Sequence, residues 1–218
     1  LLVTAGYAGL LVALDFHLCL NDFWAWSFLA SRIELSDPST LERRFTIRAD
    51  DAILAVQHHG GPDQAIYAYS SDDYDWWSQV TGKPFYPGLF GENLTIRDMP
   101  TDMRIGDRLL IGEVVLEATA PRIPCDTFAV RMQDRGFGLK FRDAERPGIY
   151  FRVLNEGEIE TGDPVTFVES GDYDVTILDL FRYKYRQQHD HADLRRYLDA
   201  PLAMRMRVEI EKKLAARQ

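Results

Sequence analysis

Ile105-Gly106-Asp107-Arg108-Leu109-Leu110-Ile111-Gly112-Glu113-Val114-Val115-Leu116-Glu117-Ala118 reads as two apolar strands folded back on each other at a glycine. Runs of branched apolar residues on either side of a residue free to adopt turn dihedrals are the signal of a hairpin. The Gly-Asp pair ahead of the first strand recurs in Thr161-Gly162-Asp163, ahead of Pro164-Val165-Thr166-Phe167-Val168. Two such starts predict a compact barrel of short strands joined by tight turns. Upstream, Ala65-Ile66-Tyr67-Ala68-Tyr69 follows a Gly-Gly-Pro turn and reads as a further strand. Ser71 to Val80 reads as a helix across one face of the barrel, with Tyr74, Trp76 and Trp77 as core residues rather than a binding box.

From Tyr173 the period changes. Ile177, Leu180, Phe181 and Lys184 follow helical spacing. Asp190 can cap a second helix holding Leu194, Tyr197 and Leu198, and Pro201 suits the first turn of a third, which carries Met206, Ile210 and Leu214. Helices this short bury little surface alone, so they should dock on the barrel or on another subunit, a homodimer being the simplest case. The chain thus divides into a mainly β barrel domain with peripheral helices, residues 1–170, and a small three-helix module, residues 171–218.

A chain of 218 residues supports one sizeable core with a small appended module. Its net charge of −9 argues against general binding to nucleic acid or to acidic membranes. The two cysteines, Cys19 and Cys125, form no CxxC pair, which argues against a disulfide framework or a structural zinc and fits a reducing cytoplasm. The apolar run from Leu1 toward Ala30 is broken by Asp15, His17, Asn21 and Asp22 before it reaches the roughly 20 residues that span a bilayer. It reads as core strand or helix, with an N-terminal anchor as the alternative.

Four clusters carry chemistry. Pro121-Arg122-Ile123-Pro124-Cys125 is a stiff loop, because each proline fixes its own backbone and restricts the residue before it. A guanidinium three residues from a thiol can hold an anion and favour the thiolate, a nucleophile or soft-metal ligand; the alternative is a buried cysteine capping a strand. His58-His59-Gly60-Gly61-Pro62-Asp63 is a poor chelate by itself, but its glycines let backbone approach a ligand; the alternative is a solvated or structural histidine. Pro87-Gly88-Leu89-Phe90-Gly91-Glu92-Asn93-Leu94-Thr95 offers hydrogen-bonding groups at Asn93 and Thr95, although turn chemistry alone explains its glycines. Lastly, Ala120 to Asn155 holds seven basic residues against four acids, which fits either an anion pocket beside Cys125 or a solvated basic face.

In this order, HHGGPDQAIYAY, PGLFGENLT, IGDRLLIGEVVLEATAPRIPC and RPGIYFRVLNEGEIETGD resemble the MOSC domain, the molybdenum-cofactor sulfurase C-terminal type of β-barrel. The tail from VTILDLFRYKY to APLAMRMR resembles the three-helix extension of its YiiM-like branch, so the likeness covers about three quarters of the chain. Residues 1–50 show no match to the initial barrel strands, and only Asp51 sits where a family acidic residue is expected. The resemblance implies that Cys125 coordinates the molybdenum of a pterin cofactor (molybdopterin). It implies further that Arg122, Asn93, Thr95, Gly91, Gly60, Gly61 and Asp63 contact the cofactor, and that His59 supplies a proton beside the metal.

The function implied is reduction of N-hydroxylated bases such as 6-hydroxylaminopurine. The alternatives are a carrier of the cofactor or of persulfide sulfur on Cys125, or a barrel that has lost its cofactor. Splitting N–O needs two electrons and two protons. The sequence has neither a G-x-G-x-x-G fingerprint nor an Fe–S cysteine set, so an external flavoprotein or ferredoxin would recharge the metal.

Overall fold

The computed structural model describes residues 44–47 and 61–216. The readings of Cys19, of the apolar run before Ala30, and of Asp51, His58, His59 and Gly60 lie outside the described residues.

The hairpin forms as the alternation requires. Strand β4 (Arg108–Ile111) pairs antiparallel with β5 (Val114–Pro121), with Ile111 opposite Val114 and Arg108 opposite Glu117. The two Gly-Asp starts share one device. Gly106 and Gly162 adopt φ of 92° and 101°, which side chains rarely tolerate, and the following aspartate closes each turn. Asp107 Oδ2 accepts from Arg104 N–H at 2.7 Å, and Asp163 Oδ2 accepts from Glu160 N–H at 2.8 Å.

Around the hairpin lie β2 (Ile66–Ser70), β3 (Leu94–Ile96), β6 (Ile149–Asn155) and β8 (Thr166–Val168). They form a six-stranded sheet in the order β3-β2-β6-β5-β4-β8, curled into a half-barrel. Only β2 and β3 run parallel. Register shifts between Val115 and Leu116 and between Ala118 and Ala120 interrupt the β5–β6 ladder, and irregularities of this kind bend a sheet. Strand β1 (Arg44–Ile47) pairs antiparallel with β7 (Gly157–Glu160) in a separate ribbon. The segment before residue 50, unmatched in sequence, therefore contributes a strand.

Two cores flank the sheet, and β2 shows why. Ile66 and Ala68 point into an aliphatic core, while Tyr67 and Tyr69 point into an aromatic one, as the period-2 geometry of a strand demands. Helix α1 (Ser71–Thr81) starts at an N-cap, Ser70, whose side chain accepts from Asp72 N–H, and it places Tyr74 and Trp77 in the aromatic core. Two short helices absent from the sequence reading follow the Cys125 loop: α2 (Asp126–Arg131) and α3 (Phe137–Ala144). They bring Phe128, Phe137 and Phe141 to the same core.

The C-terminal helices are α4 (Ile177–Tyr183), α5 (His191–Asp199) and α6 (Met204–Ala215). Asp190 caps α5 as expected, accepting from Ala192 N–H at 2.9 Å. Pro201 does not open the third helix. It follows the last residue of the α5 cap, Ala200, and α6 begins three residues later at Met204. Because Pro201 has no N–H to continue a helix, it separates the two. All three helices dock on the sheet: Ile177, Leu180, Leu194, Tyr197, Met206 and Ile210 share the aliphatic core with Leu109, Leu116 and Phe151. Packing thus runs across the expected boundary at residue 170. Among the described residues, no helix is long and apolar enough to cross a membrane.

Candidate functional site

Strand β5 ends at Pro121, paired with Ile149 of β6, and the chain leaves the sheet through Arg122, Ile123 and Pro124. Cys125 then stands at the N-cap of α2, where its carbonyl accepts from Phe128 N–H at 3.0 Å. Its thiol is half-buried and packs against the aromatic core.

Arg122 turns inward and is 3% exposed. Its Nη1 donates to the Phe90 carbonyl, and its guanidinium carbon lies 4.5 Å from the Phe128 ring centroid and 5.1 Å from that of Tyr67. Burial opposes the charge of Arg122, yet Tyr67, Tyr150 and Cys125 around it hold its pKa above the ordinary value. The Tyr67 and Tyr150 rings lie 5.1 Å apart. Burial pushes both phenols upward against the pull of Arg122, so both hydroxyls stay protonated as donors at neutral pH. That of Tyr67 donates to Pro147 O at 2.9 Å.

The Pro87–Thr95 loop is tied through its backbone carbonyls to residues on either side of Cys125. Besides the Arg122 bond to Phe90, Arg131 of α2 donates to the Leu89 and Gly88 carbonyls. Inside the loop Glu92 is the organiser: its carboxylate accepts from Gly88 N–H, from Thr95 Oγ1 at 2.8 Å and from Tyr74 OH at 2.7 Å. Asn93 Oδ1 accepts from Tyr67 N–H at 2.7 Å, while its own N–H donates to Tyr67 O at 2.8 Å. Asn93 and Thr95 therefore hold the loop against β2, and Gly91, at φ 74°, lies next to the carbonyl that Arg122 binds.

Gly61 opens the short 3₁₀ turn Pro62–Gln64. Asp63, within it, pairs through Oδ1 with Arg152 at 3.2 Å, and its Oδ2 accepts from Met204 N–H at 3.0 Å. It acts as a strut between the sheet and α6. The expected anion pocket of the basic segment does not form as a group. Lys140 pairs with Asp134 and Arg142 with Asp143 inside the segment, while Arg146 pairs with Asp73 and Arg152 with Asp63 and Glu117 outside it, so acids of other elements take up part of the excess. Arg122 alone of the seven is placed against Cys125 by the interactions described.

Clefts of about 500 and 400 Å³ lie elsewhere, the first beside Asp72 and Arg97 and the second beside Arg182 and Tyr185, and neither is lined by Cys125 or Arg122. Among the described residues no group of three or more His, Cys, Asp or Glu could hold a bare metal ion. A metal that arrives with its own sulfur ligands, needing one soft thiolate, fits Cys125 better. Tyr67, Tyr150 and Glu92 lie inside the quoted motifs, yet nothing local marks them for the site: the groups they meet there, Arg122, Cys125 and Tyr74, come from other elements.

The MOSC domain family model matches residues 55–166. The uncharacterised protein YflK of Bacillus subtilis is 30% identical over 165 residues, covering 75% of each chain. A protein named Reductase from Gibberella moniliformis is 34% identical over 127 residues, which is 54% of this chain and 22% of that one. The crystal structure of YiiM from Geobacillus stearothermophilus superposes with a TM-score of 0.70 at 29% identity, over 78% of this chain and 84% of its own. Motif order, half-barrel and relatives agree: the chain belongs to the MOSC family, a molybdenum-cofactor-binding domain, and is YiiM-like within it.

Proposed function

We propose that this protein is a molybdenum-cofactor-dependent reductase that converts N-hydroxylated bases such as 6-hydroxylaminopurine to the amine and water. The observation that carries the reading is the half-buried Cys125 thiol beside the buried Arg122 guanidinium, on a loop braced at both ends. The reductase name of one relative supports the reaction class.

The donor set suits the group. Cys125 supplies a thiolate ligand, and Arg122 with the neutral Tyr150 hydroxyl supplies a cation and a donor for its oxygen-rich parts. The backbone at Gly91 and Gly61 offers further polar contacts. When bound, the cofactor supplies the two electrons that cleave N–O. The two protons come from solvent and from an acid near neutral pKa, for which His59 is the candidate. Electrons enter from an external flavoprotein or ferredoxin.

Full-length protein from a host that makes the cofactor should contain molybdenum and, given a chemical reductant, should turn 6-hydroxylaminopurine into adenine. Cys125→Ala should lose both metal and turnover while melting within a few degrees of wild type. Bound molybdenum without N–O cleavage on any hydroxylamine would favour a carrier instead.

A further inference from the structure

We propose that the Tyr150 hydroxyl is a catalytic hydrogen-bond donor of the Cys125 site, holding the oxygen of the substrate's N–O bond. The inference rests on the reductase reading above and deepens it by naming the group that recognises the N-hydroxyl.

Four tyrosines belong to the aromatic core: Tyr67, Tyr69, Tyr74 and, at its edge, Tyr150. Three have bonded hydroxyls. Tyr67 donates to Pro147 O at 2.9 Å, and Tyr74 donates to Glu92 at 2.7 Å. Tyr69 donates to Arg146 O at 3.1 Å and accepts from Trp77 Nε1 at 2.9 Å. A phenol packed into a core ordinarily finds such a partner. The Tyr150 hydroxyl has none among the described residues. Nor is it sealed off, because the buried side-chain polar atoms left unpartnered there are Arg104 Nε and Arg152 Nε. Half-buried Tyr150 thus presents an unused donor that solvent can reach.

Strand register sets where that donor lies. Tyr150 is directly opposite Tyr67 in the β2–β6 pair and opposite Ala120 of β5, one residue before the strand end that leads to Arg122 and Cys125. Opposed residues of an antiparallel pair share a face, and the Tyr67 ring, 5.1 Å from that of Tyr150, also lies 5.1 Å from the Arg122 guanidinium carbon. Ile123, Cys125 and Tyr150 pack against the same aromatic cluster. Arg122 is 3% exposed and spent on Phe90 O, so a molecule arriving from solvent meets the phenol first. A neutral donor suits an uncharged N-hydroxyl, whereas an anion would favour the guanidinium. N–O cleavage consumes two electrons and two protons, from the sources named above, and gives the amine and water. Tyr150 keeps its own proton throughout. Its hydrogen bond strengthens as charge develops on the departing oxygen, which lowers the barrier.

The test compares full-length, molybdenum-loaded wild type, Tyr150→Phe and Tyr67→Phe. Tyr150→Phe deletes a hydroxyl that bonds nothing in the protein, so it should melt with wild type and keep its molybdenum. Tyr67→Phe loses the Pro147 bond and should melt lower. Without reductant, wild type should bind 6-hydroxylaminopurine about tenfold more tightly than adenine, and Tyr150→Phe should bind the two nearly alike. With reductant, Tyr150→Phe should lose about 10²-fold in kcat. Unchanged binding preference and turnover in Tyr150→Phe would overturn the inference. So would loss of molybdenum, which would make Tyr150 a cofactor contact and leave the reductase reading standing. Loaded wild type that cleaves no N–O bond would overturn the reductase reading and this inference with it.

Discussion

Arg122 carries its charge at 3% exposure, between two aromatic faces and a carbonyl. Its spacing from Cys125 suggested an anion grip reaching outward; the structure makes it a bracket as well, joining the Cys125 loop to the Gly91 loop. Arg122→Ala should therefore cost about 3 kcal/mol, from an unpaired carbonyl plus lost packing, in addition to lowering cofactor content. Arg122→Lys should be intermediate in melting temperature and closer to Ala in cofactor content, because an ammonium cannot stack between rings and pair in two directions. Chemical denaturation with metal analysis on both variants checks this; unchanged stability in Arg122→Ala would contradict the bracket. At this scale the sequence exposed the thiol and its arginine, since both lie in one short stretch. It could not expose Tyr150, which lies beside Arg122 and Cys125 from a separate strand, nor that Asn93 and Asp63 would bond to Tyr67 and Arg152.

The elements that were legible were those with a strong local period. The β4–β5 hairpin, the paired Gly-Asp turns, α1 and the cap at Asp190 all follow from residues adjacent in sequence. Helices α2 and α3 escaped because each is short and neither has a side-chain cap at its N-terminus. Their phenylalanines, Phe128, Phe137 and Phe141, form a stripe only after the chain turns between them. Pro201 misled for a related reason: a proline suits the end of one helix as well as the start of the next. The loop before β6 is tightly constrained. At Gly148, φ is 65°, and an added Cβ would lie 2.7 Å from Ala68 O and 2.8 Å from Tyr67 Cε2. Gly148→Ala combines a left-handed backbone with a backbone clash and should destabilise by about 3 kcal/mol or more. It should also disturb Tyr67 beside Arg122. Equilibrium unfolding measures the first effect, and a loss under about 1 kcal/mol would show that the loop yields.

Across the whole molecule, the three C-terminal helices join the barrel in one aliphatic core, so their mutual contacts affect global stability. Glu209 of α6 binds Lys184, just after α4, and Lys213 at 3.3 Å. Partial burial raises its pKa, but the two lysines outweigh this and hold it below the ordinary glutamate value. A folded pKa below the unfolded one contributes stability that is complete above the unfolded value, about 4.3, and is lost as pH falls through the folded value. Wild type should therefore lose stability on acidification more steeply than Glu209→Gln between about pH 5 and 3. Parallel melting curves for the two proteins in that range would contradict the linkage. Repeating turn chemistry made a barrel of short strands legible in the sequence, and the structure shows it as a curled six-stranded half-barrel. The bonds that fasten the start of α6 to the sheet were not legible, because they depend on Asp63, Thr119 and Arg152 meeting residues far along the chain.

The central claim is that Cys125 ligates molybdenum, and X-ray absorption at the molybdenum edge tests it without recourse to turnover. Wild type and Cys125→Ser would be loaded by equilibration with the same cofactor supply and compared for sulfur neighbours of the metal. The account predicts one sulfur fewer in whatever metal Cys125→Ser retains, with much lower occupancy. An identical sulfur shell at equal occupancy would contradict it.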